Sequence, residues 1–324
     1  MSATRIAVTG ASGFVGRHLL DRLLRSGASV SALSRHGTGR SDVDDRRVDY
    51  EDAAALEEAL RGIEVVVHLA ARAHQLNESA DTPEVEQAYQ KANINAALAV
   101  AKATRANRAR RLVFVSSIGV NGNVTHGKPF GVSDTPKPVE PYARSKWLAE
   151  QAIAELLGAG PTDFVILRPP LVYGPDCRGN FERLLKMAAH APFLPLGDLR
   201  APRTLIGIGN LVEAITVAAS NEAVSRRTFL VTDSRDTNVG EILRSLARGC
   251  GRPSSIVVSI PSALLRLMAR VLGKGATWDK LAAPLQVDGS EFCRVTGWRA
   301  AIDPTDGLYE AGRRYIRGAR PHSP

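Results

Sequence analysis

Three glycines, Gly10, Gly13 and Gly16, stand near the beginning of the chain between two contrasting patterns. The β-branched run Arg5–Thr9 before them predicts a strand, and the periodic apolar pattern of Phe14–Arg25 predicts a helix. In a strand–turn–helix unit, such glycines permit a tight turn, a close approach of the backbone to a pyrophosphate, and close packing of helix on strand. The helix N-terminus adds free N–H groups and a partial positive charge. The feature therefore predicts a parallel βαβ unit that binds a dinucleotide.

The rest of the N-terminal half alternates strand and helix patterns. Further strands are predicted at 28–33, 47–50, 64–68, 111–116 and 163–167, and further helices at 52–61, 83–107 and 142–157. Strands that alternate with helices are typical of a parallel sheet whose two faces are covered by helices. The sequence thus predicts an α/β fold, a doubly wound parallel (Rossmann-type) sheet, with residues 1–168 as its dinucleotide-binding domain.

The pattern is looser after residue 168. Short helices are predicted at 180–189, 209–220, 239–247 and 261–272, and short strands at 228–231 and 256–258. Frequent prolines interrupt longer elements in this part of the chain. We expect residues 169–324 to form a smaller C-terminal α/β lobe that holds the substrate, with 204–221 returning to the first domain.

Composition and charge exclude several classes of protein and partner. The chain has 324 residues, of which 44% are hydrophobic and 23% charged, as in ordinary globular proteins. Its apolar stretches stay below the roughly 18 residues that a membrane span needs, and its three cysteines are too scattered for a disulfide framework or a zinc site. Because the arginines behind the net charge of +9 are spread along the chain, they suit small anionic ligands better than nucleic acid. We expect a cytoplasmic protein with no metal, no nucleic-acid partner and no membrane partner.

The end of the second predicted strand bears on the choice of dinucleotide. A protein that binds NAD through the ribose hydroxyls usually places an acidic residue there. This chain has Ser34 and Arg35 instead, which suit the 2′-phosphate of NADP. We therefore favour NADP as cofactor, with NAD possible. Asp49, which ends the third predicted strand, is either a ligand of the adenine amine or a plain loop residue.

Tyr142 and Lys146 are four residues apart in a predicted helix, so they lie on one helix face. A phenol with a pKa near 10 is a poor base at neutral pH, whereas a neighbouring ammonium stabilises the phenolate. We therefore expect Lys146, together with a bound nicotinamide ring, to lower the pKa of Tyr142 into the range useful for proton transfer. Ser117, just past the fifth predicted strand, is placed to hydrogen-bond the same substrate oxygen. The three residues predict an oxidoreductase site.

With these elements in place, the chain resembles the extended short-chain dehydrogenase/reductase superfamily and, within it, the nucleotide-sugar epimerase/dehydratase family. The resemblance runs from Arg5 to about Gly307 and is strongest up to Tyr173. Its motifs are the segments 8–16 (VTGASGFVG), 68–71 (HLAA), 115–117 (VSS), 142–146 (YARSK) and 168–174 (RPPLVYG), together with Asn93. A member of this family is expected to use a nicotinamide dinucleotide and to act on a nucleotide sugar.

The resemblance also implies roles for individual residues. Ser117, Tyr142 and Lys146 would form the catalytic triad, and Ser117 would also contact the substrate. Asn180 and Arg203 would hold the sugar nucleotide, with Arg203 on its diphosphate. Together with the residues inferred above, the predicted cofactor-binding set is Gly10, Ser12, Gly13, Phe14, Val15, Gly16, Ser34, Arg35, Asp49, Leu69, Ala70, Ala71, Asn93, Tyr142 and Lys146.

Departures from the family pattern narrow the chemistry. After the active-site serine or threonine, nucleotide-sugar 4,6-dehydratases carry an Asp-Glu pair that supplies the acid and base for eliminating water. Here Ile118 and Gly119 follow Ser117, which argues against dehydration and against the related decarboxylation. Asn121 stands where a tyrosine is usual, and Leu171 replaces an asparagine found in many epimerases.

Redox chemistry at C4 of the sugar remains. The segments 68–74 (HLAARAH), 117–122 (SIGVNG) and 127–130 (GKPF) resemble those of bacterial surface-polysaccharide enzymes. This resemblance implies a 4-reductase of UDP-4-keto-6-deoxy-N-acetylhexosamine. The alternative is a 4-epimerase of a UDP-hexose or UDP-N-acetylhexosamine, and a non-catalytic dinucleotide sensor is a remote one. In relatives, the helices equivalent to 84–107 and 142–157 form a dimer interface, which implies a homodimer.

Overall fold

The computed structural model of the chain describes residues 3–73, 82–177 and 179–319, so His74, the last residue of one motif, lies outside the described residues. The strands are β1 (Arg5–Thr9), β2 (Ser29–Ser34), β3 (Asp44–Arg47), β4 (Val65–His68), β5 (Arg111–Val115), β6 (Asp163–Arg168), β7 (Leu171–Tyr173), β8 (Leu205–Gly207) and β9 (Arg227–Leu230). In the described residues, seven of them form one parallel sheet in the order β3-β2-β1-β4-β5-β6-β9, while β7 and β8 pair separately. This strand order is that of a doubly wound sheet.

Helices cover both faces of the large sheet. They are α1 (Phe14–Arg25), α2 (Ala53–Ala59), α3 (Pro83–Tyr89), α4 (Ala96–Ala106), α5 (Pro141–Leu157), α6 (Asn180–His190), α7 (Ile208–Ser220), α8 (Val239–Gly249), α9 (Ser262–Val271), α10 (Gly275–Ala282), α11 (Ser290–Thr296) and α12 (Pro304–Ala319). Helices α1 and α7 pack on one face, and α2, α4 and α5 pack on the other. The strands between these layers are buried on both sides, which is why they read as continuous apolar runs. The predicted α/β fold class is thereby confirmed.

Three predicted elements differ from the structure. The third strand lies at Asp44–Arg47, earlier than predicted, because a charged edge strand lacks the apolar signal that buried strands carry. Asp49 therefore lies beyond the end of that strand. The single long helix predicted after the fourth strand is α3, a π-helical segment at Gln90–Asn95, and α4. The strand predicted at 256–258 is reduced to a single parallel bridge between Val257 and Leu194, which follows a 3₁₀ turn at Ser254–Ile256.

Some of the elements after residue 168 form a smaller lobe, while β9 joins the edge of the large sheet. Helices α6, α8 and α12 pack around a cluster that includes Tyr173 and Phe181. Helices α9 and α10 pack on a second cluster, which includes Leu243 and Trp278. The segment 204–221 contributes β8 to the small sheet and α7 to one face of the large sheet. Among the described helices, none has both the length and the apolar character that crossing a membrane requires.

Candidate active site

The turn between β1 and α1 requires glycine at two positions. Gly10 has a φ of +66°, and a Cβ there would lie 2.7 Å from the backbone nitrogen of Ala70. A Cβ on Gly16 would collide with the carbonyl oxygen of Gly10. The backbone N–H of Gly13 donates to that same carbonyl over 2.9 Å, which closes the turn.

This turn fits the pyrophosphate of a dinucleotide. Among the described residues, no side chain caps α1, so the N–H groups of its first turn remain available to an anion. Ser12 and Gly13 are exposed beside them, and Phe14 and Val15 are half-buried. The first turn of α1 also contains no acidic residue that would repel a phosphate.

Tyr50 braces the glycine turn and was missed by the sequence reasoning. The backbone N–H of Gly10 donates to the hydroxyl oxygen of Tyr50 over 3.1 Å, and that hydroxyl donates to the carbonyl of Leu33 over 3.0 Å. Burial raises the pKa of Tyr50, which keeps its phenol protonated as a donor. The neighbouring Asp49 is exposed and accepts a hydrogen bond from the backbone N–H of Glu51, so it shapes a turn. Its contact with adenine stays a prediction.

Ser34 and Arg35 differ in exposure at the end of β2. The side chain of Ser34 is buried, and its hydroxyl has no hydrogen-bond partner among the described residues. Arg35 is exposed. A phosphate approaching from solvent therefore meets the guanidinium of Arg35, while the hydroxyl of Ser34 lies beneath the surface. This geometry does not favour the part predicted for Ser34.

The end of β4 meets the glycine turn through Thr9. The hydroxyl oxygen of Thr9 accepts from the backbone N–H groups of Leu69 and Ala70 over 3.3 and 3.4 Å and lies 2.7 Å from Nδ1 of His68. His68 is fully buried, and burial lowers its pKa to about 3, so its ring is neutral. His68 is therefore a core residue, and Ala71, two residues beyond Leu69, is exposed.

Ser117 and Tyr142 come from neighbouring elements. Ser117 follows β5 and accepts a hydrogen bond from the backbone N–H of Gly119 over 3.1 Å. The short turn that it begins packs on the first turn of α5, since a Cβ on Gly119 would lie 3.2 Å from the Cβ of Ala143. Tyr142 lies on that first turn, and Lys146 lies one turn further along the same helix. The structure thus places Ser117 just after β5 and both Tyr142 and Lys146 near the beginning of α5, and their action as a triad stays a prediction.

Burial shifts the pKa values of both Tyr142 and Lys146 in the protein without cofactor. Burial raises the pKa of Tyr142 to about 12, and Tyr89, whose ring centroid lies 6.2 Å away, acts in the same direction. Burial lowers the pKa of Lys146 to about 7. The ammonium of Lys146 faces Phe114, with Nζ 4.2 Å from the ring centroid. Burial is the largest cause of both shifts, and the lowering of the phenol pKa expected with a bound nicotinamide ring stays a prediction.

A buried network that the sequence reasoning did not find lies behind the triad. Arg168, the last residue of β6, pairs with Glu150 of α5 over 2.6 Å, and Ser116 donates a short hydrogen bond to Glu150. Arg168 also donates to the side-chain oxygen of Asn121 over 2.9 Å. Asn121 thus fixes the turn after Ser117, which gives a role to the residue that stands where a tyrosine is usual. The available signal in the sequence was the i,i+4 spacing of Lys146 and Glu150.

Asn93 connects the segment after β4 to helix α5, which carries Tyr142. It is buried in the π-helical segment Gln90–Asn95, and such segments frequently occur at functional sites. Its side-chain oxygen accepts from the backbone N–H of Arg72 over 2.7 Å, and its side-chain nitrogen donates to the hydroxyl of Ser145 over 2.9 Å. Ser145 in turn donates to the carbonyl of Tyr142 over 2.8 Å. Asn93 therefore orients the helix that carries Tyr142.

The two predicted substrate residues lie in the smaller lobe. Asn180 is the exposed first residue of α6. Arg203 is half-buried, and its Nη2 donates to the carbonyls of Lys280 and Leu281 at the end of α10 over 2.5 and 2.9 Å. Its Nε has no hydrogen-bond partner among the described residues, and burial lowers the pKa of the guanidinium. The described hydrogen bonds do not connect Asn180 or Arg203 to the triad.

Known proteins share both the sequence pattern and the fold. The sequence model of a family described as NAD dependent epimerase/dehydratase matches residues 6–232. A UDP-glucose 4-epimerase of Vibrio cholerae is 31% identical over 316 residues, which cover 96% of this chain and 95% of that protein. An N-acetyl-alpha-D-glucosaminyl-diphospho-ditrans,octacis-undecaprenol 4-epimerase of Escherichia coli O157:H7 is 28% identical, with 94% and 89% covered. The crystal structure of a UDP-glucose 4-epimerase of Thermotoga maritima with UDP-glucose has the same fold, with a TM-score of 0.76, 20% identity, and 97% and 99% covered.

Proposed function

The chain belongs to the NAD dependent epimerase/dehydratase family, and we propose that it is an oxidoreductase acting at C4 of the hexose of a UDP-sugar. The observation that carries this proposal is the position of Tyr142 and Lys146. Both lie on the helix that packs against the end of β5, and Asn93 ties this helix to the segment that borders the glycine turn. That arrangement supports a role for Tyr142 as proton donor to a substrate bound next to a dinucleotide on the glycine turn.

The proposed chemistry divides between cofactor and protein. When bound, the nicotinamide ring supplies or accepts the hydride at the sugar carbon. Tyr142 donates a proton to the C4 oxygen in reduction and removes it in oxidation. Ser117 hydrogen-bonds the same oxygen and orients it toward the phenol. Lys146, whose pKa lies at about 7, holds a proton that is readily exchanged at neutral pH and assists Tyr142 electrostatically.

The first candidate reaction is the 4-reduction of UDP-4-keto-6-deoxy-N-acetylhexosamine. Ile118 is buried and Gly119 has no side chain, so the turn after Ser117 presents no carboxylate for eliminating water. A one-way reduction needs no such group, because the hydride and one proton complete it. The resemblance of the segments 117–122 and 127–130 to surface-polysaccharide enzymes supports the same reaction.

The second candidate is 4-epimerisation of a UDP-hexose or UDP-N-acetylhexosamine. The Vibrio and Escherichia relatives, both named 4-epimerases and both matched over most of their length, favour it. In an epimerase, Tyr142 removes the proton from the C4 hydroxyl and later returns it after the sugar has turned over. The same triad is therefore proposed for both reactions. They differ in whether reduced cofactor is consumed.

Cofactor consumption decides between the two reactions. Purified protein is mixed with UDP-4-keto-6-deoxy-N-acetylglucosamine and NADPH or NADH, and the loss of reduced-cofactor absorbance is followed against product. One reduced cofactor consumed per product is expected for the reductase. Interconversion of UDP-N-acetylglucosamine and its 4-epimer without net loss of cofactor would instead assign the epimerase. Failure of both assays would overturn the proposed action at C4.

The remaining proposals concern the cofactor, the assembly and the setting. We propose NADP as the preferred dinucleotide, supported by exposed Arg35 in the absence of an acid at the end of β2. We also propose a homodimer that uses α5, on which Leu148 is 49% exposed. A cytoplasmic enzyme of surface-polysaccharide synthesis is consistent with the lipid-linked sugar in the name of the Escherichia relative.

A further inference from the structure

Helix α9 carries an apolar face that is open to solvent. Four apolar side chains recur at the spacing that places them on one helix face. They are Leu264, Leu267, Met268 and Val271, and their exposed fractions are 51%, 60%, 51% and 79%. Leu272, just after the helix, is 67% exposed. Soluble proteins rarely expose contiguous apolar surface of this kind unless it binds something.

The opposite side of the same helix is already used. Leu265 and Ala269 are half-buried and pack on the cluster that includes Trp278. The helix is therefore anchored to the lobe by one side while the open side projects outward. The exposed face is not required to complete this core.

Basic residues accompany the exposed apolar face. Arg266, Arg270 and Lys274 are all exposed, and the sequence contains no acidic residue from 262 to 274. Arg266 approaches Asp279 of α10 only to 3.8 Å, and both side chains are more than half exposed. The surface around the open face thus carries a net positive charge.

We propose that α9 docks onto the surface of a lipid bilayer that contains anionic lipids. An amphipathic helix that combines exposed leucines with arginine and lysine lies in the interface plane, with its apolar side chains among the acyl chains and its cations at the headgroups. Docking in this manner needs no spanning segment. The proposed docking differs from the expectation of no membrane partner, because that expectation considered only segments long enough to span a membrane.

The charges favour a bilayer over a second copy of the chain. In a two-fold symmetric contact through α9, Arg266, Arg270 and Lys274 of one copy would meet the same three cations of its partner. Like charges brought together across an interface oppose association. An anionic membrane instead offers acyl chains for the leucines and phosphates for the cations.

The docking helix is joined to the candidate active site. Helix α9 packs beside α10, and the last carbonyls of α10 hold the guanidinium of Arg203. Lys280 of α10 also reaches Glu140, the residue before α5, over 3.3 Å. Docking would therefore place the substrate lobe at the bilayer surface. The inference rests on surface composition and does not depend on the proposed function.

Vesicle flotation tests the proposal. Full-length protein is mixed with vesicles of phosphatidylcholine, or of phosphatidylcholine with phosphatidylglycerol, and the fraction that floats is measured. Wild-type protein is expected to float with the mixed vesicles. The double variant Leu267→Glu/Val271→Glu is expected to lose about tenfold or more of this binding, because two apolar side chains no longer enter the lipid. Arg266→Gln/Arg270→Gln is expected to reduce binding to the level seen with phosphatidylcholine alone.

A matched variant controls for general effects. Ile302→Glu also replaces an exposed aliphatic side chain, 42% exposed but outside α9, and it is expected to float like wild type. Unchanged thermal unfolding midpoints show that all variants remain folded. If wild-type protein floats with neither kind of vesicle, the proposal is overturned. It is also overturned if the Leu267→Glu/Val271→Glu variant floats with the mixed vesicles as well as wild type does. The third contrary outcome is that wild-type protein binds no vesicles but forms a concentration-dependent dimer, and that this double variant abolishes the dimer. That outcome assigns the apolar face of α9 to a second copy of the chain and also overturns the proposal.

Discussion

At the scale of single residues, Phe114 connects two titratable side chains of the site. The ammonium of Lys146 lies 4.2 Å from its ring centroid, and the ring of His68 stacks on it at 5.7 Å between centroids. The charge of Lys146 adds to the lowering of the pKa of His68 that burial causes. An aromatic ring at this position thus supports the lysine without competing for its proton.

Tyr142→Phe is expected to lower turnover by at least about 100-fold, because it removes the proposed proton donor while preserving the ring. Cofactor binding, measured by fluorescence titration, is expected to stay close to that of wild type, since the glycine turn is untouched and the ring of residue 142 is kept. Tyr309→Phe, at an exposed tyrosine of α12, is the matched control. Turnover by Tyr142→Phe at the wild-type rate would contradict the assignment.

Arg35→Ser tests the choice of dinucleotide. A charged hydrogen bond to the 2′-phosphate contributes about 1.5–3 kcal/mol, so KM for NADPH is expected to rise by about tenfold or more while KM for NADH hardly changes. Arg25→Ser, which removes an exposed arginine of α1 bonded to its own helix, is the control. Equal effects on both cofactors would show that Arg35 does not read the phosphate.

His68 predicts a dependence of stability on pH. Its pKa is about 3 in the folded protein and about 6.5 in an unfolded chain, so the unfolded state binds the proton first as the pH falls. The unfolding free energy is therefore not reduced by His68 above about pH 6.5, and it falls progressively below that pH because the unfolded state gains the proton. Urea unfolding of His68→Gln is expected to show a weaker loss of stability between about pH 6.5 and pH 4 than wild type. His126→Gln, at an exposed histidine, should retain the wild-type slope.

At the scale of elements, the apolar strands could be predicted from the sequence, whereas the charged edge strand β3 and the short strands β7 and β8 could not. β1, β4, β5 and β6 are apolar runs because helices cover both of their sides. β3 consists of four charged residues at the sheet edge, and β7 and β8 are three residues each among prolines, so none gave a recognisable pattern. The π-helical segment could not be predicted either. Asn93 in this segment makes three hydrogen bonds, to Arg72 and Ser145, and both partners are distant in sequence.

The buried pair of Glu150 and Arg168 joins α5 to β6 and predicts an asymmetric response to mutation. Arg168→Met leaves the carboxylate of Glu150 buried and is expected to cost about 3–5 kcal/mol of unfolding free energy. Glu150→Leu combined with Arg168→Met removes both charges and is expected to cost clearly less. Chemical denaturation of the single and double variants measures this difference. Additive losses would contradict a coupled pair.

At the scale of the whole molecule, the sequence predicted the class of the protein better than the details of its site. The glycine turn and the Tyr142–Lys146 spacing led to the family that the comparisons then established over nearly the whole chain. The network of Glu150 and Arg168 and the brace from Tyr50 depend on contacts between distant segments, which spacing does not reveal. The pKa directions of the triad depend on burial, which also becomes known only from the packed fold.

Transfer of an isotope label tests whether the protein transfers hydride at C4 of the sugar. Reduced cofactor carrying deuterium at its transferable position is incubated with UDP-4-keto-6-deoxy-N-acetylglucosamine and the protein, and the product is examined by NMR. Hydride transfer at C4 predicts deuterium at C4 of the product sugar, with one label transferred per cofactor consumed. Deuterium at another carbon, or cofactor oxidation that leaves the sugar unlabelled, would contradict it.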